Sequence, residues 1–124
     1  MLIILRGEVM GRDLSFWKYA AGFYLDNQDV YKKLSEGTFV EGVEVLPISK
    51  ILNDIKTAFK DWKKESDVDF QGKSGAFQIF TTEQFVRIDC YSVSEDDMNR
   101  MVDILFEYDC PLYDARISER FDGC

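Results

Sequence analysis

The sequence contains no histidine, and that one absence removes a broad class of chemistry. Histidine is the ordinary general base at neutral pH and the commonest metal ligand, so a serine or cysteine nucleophile activated in the familiar way has no partner here. Proline is scarce as well: Pro47 and Pro111 are the only two, and both sit beside expected helix ends rather than in a linker between domains. The three cysteines, Cys90, Cys110 and Cys124, form no Cys-x-x-Cys pair, which argues against a disulfide framework or a zinc site and suits a reducing cytoplasm. No apolar run approaches the roughly 20 residues of a membrane span, and Arg6, Glu8, Arg12 and Asp13 interrupt the stretch opened by Met1 to Leu5 too early for a signal peptide. Cationic residues are outnumbered, 15 against 23 acidic ones, for a net charge of −8. Nucleic-acid binding rests on Lys and Arg displacing counterions, so this balance disfavours it and favours basic partners.

What is present is a well-supplied core. The 124 residues are 46% apolar and 15% aromatic, enough for one domain that folds without staples. Leu2 to Val9 reads as a strand. Leu14 to Leu25 fits either period, and its aromatic residues tip it toward strand. Asp26 or Asn27 caps a short helix through Glu36, with Gly37 as its left-handed stop, and Phe39 to Leu46 returns as a strand bulged at Gly42. Ile48, Ile51, Leu52, Ile55, Ala58, Phe59 and Trp62 make Ser49 to Lys64 an amphipathic helix with Ser49 at its N-cap. Ala76 to Phe80 and Gln84 to Tyr91 form a hairpin about Thr81, Thr82 and Glu83, with Val86, Ile88 and Cys90 facing the core. Ser94 opens a last helix that buries Met98, Met101, Val102, Leu105 and Phe106 and ends near Asp109, ahead of Pro111. The fold expected is α+β, a mainly antiparallel sheet of four to six strands with two long amphipathic helices packed on one face, in a single domain over residues 1–124.

No catalytic, cofactor or metal residue emerges from this pattern. Asp67, Asp69, Gln71 and Gly72 begin like a calcium loop, but Gln78 stands where a bidentate carboxylate is required and a strand follows instead of a helix. Gly72, Lys73 and Ser74 resemble the end of a P-loop whose first glycine would be Asp67, a carboxylate that repels phosphate. Asp96 and Asp97 adjoin at a helix start, where offsetting the helix dipole is the plainer role than paired acid–base work. Cys90 alternates into the core. Lys56, Lys60, Lys63 and Lys64 are interleaved with Asp54, Asp61 and Glu65, as on an ordinary solvated helix face.

The charge itself is unevenly placed: residues 89–124 carry −7 of the net −8. Asp96, Asp103 and Glu107 share the outer face of the last helix with only Arg100 intervening, and Asp109, Asp114, Glu119 and Asp122 follow. In the tail, Leu112, Ile117 and Phe121 can anchor the chain while Tyr113 and Asp114 stay available, a combination that protein interfaces favour. A last edge strand with its tyrosine packed on the sheet explains the same string. An acidic, histidine-free α+β domain with this charge concentration and the tail Cys110 to Phe121 resembles the immunity proteins of bacterial toxin systems, especially those of contact-dependent growth inhibition. The resemblance is one of size, charge and tail, not of motif. It implies a cytoplasmic protein, not an enzyme, that binds the toxic domain of a cognate toxin, a basic nuclease, without contacting nucleic acid or membrane and without a cofactor. Asp96, Asp103, Glu107, Asp109, Tyr113 and Asp114 are the expected partner-binding residues. The alternatives are a small carboxylate-using enzyme or ligand-binding subunit, and a structural component of a larger assembly.

Overall fold

The computed structural model describes residues 11–121, and the strand expected at Leu2 to Val9 lies outside them. Within the described residues, seven strands form one antiparallel sheet: β1 (Arg12–Phe16), β2 (Lys63–Lys64), β3 (Asp69–Gln71), β4 (Ala76–Thr82), β5 (Phe85–Tyr91), β6 (Leu112–Asp114) and β7 (Glu119–Phe121). Their order across the sheet is β2-β3-β4-β5-β1-β6-β7. Three helices accompany them, α1 (Asn27–Ser35), α2 (Ile48–Ala58) and α3 (Glu95–Phe106). The α+β class and the antiparallel sheet stand as expected. The sheet is larger than expected, because the tail adds two short strands and the stretch after α2 adds another two.

Successive strand side chains point to opposite faces, and here both faces are covered. Leu14, Phe16, Phe77, Ile79, Val86, Ile88, Cys90 and Leu112 pack against Ile51 and Ile55 of α2 and Met98, Met101, Val102 and Leu105 of α3. The alternate residues Trp17, Phe85 and Tyr113 meet Val30 and Leu34 of α1 on the other side, together with Val40 and Val43. Thus α1 covers the face opposite the longer α2 and α3. No described helix is long and apolar enough to cross a membrane.

Local chemistry accounts for the helix ends that the sequence places well. Asp26 accepts the Asp29 N–H at 2.9 Å, and Gly37 (φ +83°) takes the left-handed turn that ends α1. Ser94 accepts the Asp97 N–H at 3.1 Å, opening α3. The middle helix is shorter than its apolar stripe. It stops at Ala58, and Phe59 and Trp62 leave the helical path to pack perpendicular to each other (5.6 Å, 88°) and both against Phe77 (5.2 Å each). Lys63 and Lys64 then pair with Gln71 and Phe70 as an edge strand. Pro47, not Ser49, occupies the N-cap, with no side-chain bond.

Phe39 to Leu46 is the largest departure: apart from a single bridge between Val43 and Tyr19, it forms no strand. Its backbone is satisfied by a side chain instead. Gln84, buried in the turn between β4 and β5, accepts the Val40 N–H at 2.9 Å through Oε1 and donates through Nε2 to the Val40 and Val43 carbonyls, both at 2.8 Å. Gly42 (φ +95°) breaks the extended path between them. Likewise, of the strand expected over Leu14 to Leu25 only residues 14–16 join the sheet, as the end of β1; residues 20–26 loop out.

Candidate partner-binding surface

The acidic face rests on α3, which runs from Ser94, beside the Tyr91 end of β5, to a turn that delivers the chain into β6. Its first turn holds Glu95, Asp96 and Asp97, where carboxylates complement the dipole. Arg100 does not interrupt the outer face. Its guanidinium is bound by Asp97 at 2.9 Å, lies 4.2 Å over the Phe59 ring and donates to the Ala58 carbonyl, so it is drawn onto α2. Asp103 and Glu107 remain exposed one turn apart. Asp96 is exposed too, but 11 residues before Glu107, or about 16 Å along the axis, so it belongs to the other end of the helix.

The C-terminal end carries charge where the dipole disfavours it. The last turn has no basic residue, the C-cap is Glu107, and Asp109 adopts φ +59° in the turn that follows. The helix thus ends at Phe106, with Tyr108, Asp109 and Cys110 donating back to the Leu105, Phe106 and Leu105 carbonyls at 3.0 to 3.1 Å. Asp54 of α2 stands at the same end and accepts a hydrogen bond from Tyr108, which pushes that phenol up to about 12. Carboxylates 54, 103, 107 and 109 therefore gather around one helix terminus. Across from them, Lys18 stands 3.7 Å from Glu44 and 3.7 Å from Asp109.

Tyr113 and Asp114 do not join this surface, a correction to the expected site. Residue 113 is fully buried, with its ring 5.1 Å from Trp17 and 5.6 Å from Tyr31 and its hydroxyl donating to Gln28. Asp114 is 4% exposed, bound to Arg12 at 2.9 Å, and accepts the Arg116 N–H at 3.0 Å. The cause is topological: β6 is an inner strand between β1 and β7, and helices cover both its faces. The tyrosine does pack on the sheet, but in an interior strand, and Ile117, expected as an anchor, is half exposed.

A cleft of about 580 Å³ adjoins the acidic helix end, lined by the loop Lys18 to Leu25 with Asp109, Pro111 and Arg120. Arg120 donates to the Trp17 carbonyl at 2.6 Å and lies 4.6 Å over the Tyr19 ring. Phe23, Tyr24 and Leu25 are all exposed at its rim. Alternation draws Phe23 and Leu25 into the strand expected over Leu14 to Leu25, but Tyr24 between them breaks it; three consecutive apolar residues directly before an N-cap aspartate are the signal for an exposed apolar loop.

Other candidate groups are occupied with structure. Asp67 pairs with Lys64 at 3.0 Å and Asp69 accepts from Ser66 at 2.8 Å. Gly72 to Gly75 is a tight turn between β3 and β4, closed by a 2.8 Å bond from the Gly72 N–H to the Gly75 carbonyl. Burial pushes the Cys90 and Cys110 thiols up to about 12, which keeps them protonated and weakly nucleophilic. Asp13 and Asp89 oppose each other across β1 and β5, and burial first, then the charge of Asp89, raises the Asp13 carboxyl. Asp89 is already bound twice by Arg87, at 2.8 and 3.2 Å, so the pair does not offer two free carboxylates. Comparison with known proteins finds no matching family model and no significant match among curated proteins or solved structures.

Proposed function

We propose that this protein is a toxin-neutralising immunity protein, a stoichiometric inhibitor that binds the toxic domain of a cognate bacterial toxin, a basic nuclease, in the cytoplasm. The observation that carries the reading is the placement of Glu107 and Asp109 at the C-terminal end of α3 with no basic residue in its last turn. Carboxylates there work against the dipole, so the fold gives up stability to hold them, whereas carboxylates retained for solubility alone sit at no such cost elsewhere. A nuclease carries a basic cleft for its phosphate substrate, and an acidic surface meets it with fast, electrostatically steered association.

The test begins with co-purification from the native source and identification of the partner. A basic nuclease recovered in equimolar complex, and inhibited by this protein at one to one, supports the reading. A free monomer that turns over a small substrate overturns it. With the partner in hand, reversing Asp103 and Glu107 to lysine lowers the association rate and flattens its dependence on salt. Unchanged rate and unchanged salt dependence remove this face from the interface.

A further inference from the structure

The exposed apolar side chains are not scattered. Of the seven large ones standing in solvent among the described residues, five (Phe23, Tyr24, Leu25, Phe39 and Val45) come from two neighbouring segments, 18–25 and 38–46. Isolated exposed apolar residues need no explanation, but a contiguous group rimmed by charge marks an interaction site. The two segments are fastened to each other: the Ala20 N–H donates to the Gly42 carbonyl and the Glu44 N–H to the Lys18 carbonyl, both at 2.8 Å. The Phe23 ring lies so close over Gly42 that a Cβ there would stand 2.5 Å from it. Beneath, the three hydrogen bonds of Gln84 and a 2.8 Å bond from the Leu46 N–H to the Glu83 carbonyl fix segment 38–46 to the β4–β5 turn. This is a supported platform. Yet Tyr24, 93% exposed, and Phe39, 60% exposed, add almost nothing to the core.

The rim decides what such a platform receives. Glu41, Glu44 and Asp109 border it; of the cations there, Lys18 is already balanced by Glu44 and Asp109 at 3.7 Å each, and Arg120 is drawn onto the Trp17 carbonyl and the Tyr19 ring. A second copy of this chain docking face to face would set those carboxylates against their own counterparts. A positively charged surface with an apolar centre meets no such penalty. We propose that the platform of segments 18–25 and 38–46 is the anchoring half of the interface, that Tyr24 and Phe39 are its buried contacts, and that its occupant is a basic protein surface with an apolar centre. The inference rests on the reading of this protein as the binder of a basic partner. It assigns steering to the end of α3 and affinity to the aromatic platform, with Asp109 belonging to both.

The experiment is a titration of the isotope-labelled protein, followed residue by residue by NMR, with three synthetic peptides: an amphipathic Leu–Lys helix, octalysine, and the same amphipath with Glu for Lys. The Leu–Lys peptide is expected to shift the amides of residues 20–25, 39–45 and 109. Tyr24→Ala and Phe39→Ala should each weaken its binding about tenfold, and Tyr91→Ala, an exposed aromatic at the far end of β5, should leave it unchanged. If octalysine binds as tightly as the Leu–Lys peptide and both platform variants are silent, the platform is overturned while the acidic reading stands. If neither basic peptide binds, both fall. Preference for the Glu peptide, or self-association abolished by Tyr24→Ala, also overturns the proposed occupant, the latter in favour of a second copy.

Discussion

Arg12 and Asp114 meet inside the protein, Nη2 to Oδ2 at 2.9 Å, although 102 residues separate them in the chain. Both are almost fully buried. Removing one partner of a buried ion pair takes a countercharge away from a desolvated group, so Asp114→Asn is expected to lower stability by about 3 kcal/mol. Urea unfolding monitored by tryptophan fluorescence checks this. A change under about 0.5 kcal/mol, the usual range for surface substitutions, would contradict the buried pairing.

Glu107→Lys should move stability and binding in opposite directions. Placing a cation at the end of α3 gains about 0.3 to 1 kcal/mol from the helix dipole, while the same change slows association with a basic partner. Thermal unfolding and association kinetics on one variant read both effects. A variant that loses stability would mean that the carboxylate supports the helix end in some other way.

The opposed carboxylates of β1 and β5 give the fold a pH dependence of definite sign. Burial and Asp89 raise the Asp13 carboxyl, so the folded state holds that proton more tightly than the unfolded chain. The stability this contributes is fully present below the ordinary aspartate value of about 3.9 and is lost as pH rises through the raised folded value. At neutral pH the charged pair therefore weighs against folding, and Asp13→Asn should stabilise by about 0.2 to 1 kcal/mol, the usual scale for like charges facing across strands. The advantage should vanish near pH 3. Denaturant midpoints of both proteins from pH 3 to 8 measure it, and an advantage that grows on acidification would contradict the linkage.

Gln84→Ala should cost about 1 to 3 kcal/mol, because it strands a buried N–H and two carbonyls of segment 38–46. Hydrogen exchange at Val40 should accelerate more than at Ile88. Uniform acceleration would mean that the segment unfolds only with the whole domain.

Local signals carried much of this architecture into the sequence. Asp26 and Ser94 announce their helices because an N-cap is a short-range bond, and Val86, Ile88 and Cys90 announce β5 because alternation is a property of one strand. What escaped depends on distant partners. Nothing near Phe39 to Leu46 reveals that Gln84, some 40 residues on, will satisfy its backbone and spare it from pairing. Phe59 and Trp62 continue the apolar stripe of α2 but leave the helix to reach Phe77. Of the candidate surface, Asp103, Glu107 and Asp109 were legible as a charge pattern, whereas Tyr113 and Asp114 were misplaced. Their burial follows from β6 lying inside the sheet, a fact of strand order that no local pattern encodes.

That strand order also sets a clock. The first described strand lies between two of the last: Asp13 pairs with Asp89, 76 residues later, and Ser15 with Tyr113, 98 residues later. During synthesis at about 5 to 20 residues per second, β1 waits several seconds for its neighbours, and its pairing with β6 forms only after residue 113 has emerged. The sheet is complete only when the late strands close around the early one, and a chain interrupted before β6 would have made most of its residues while one edge of β1 stood unpaired.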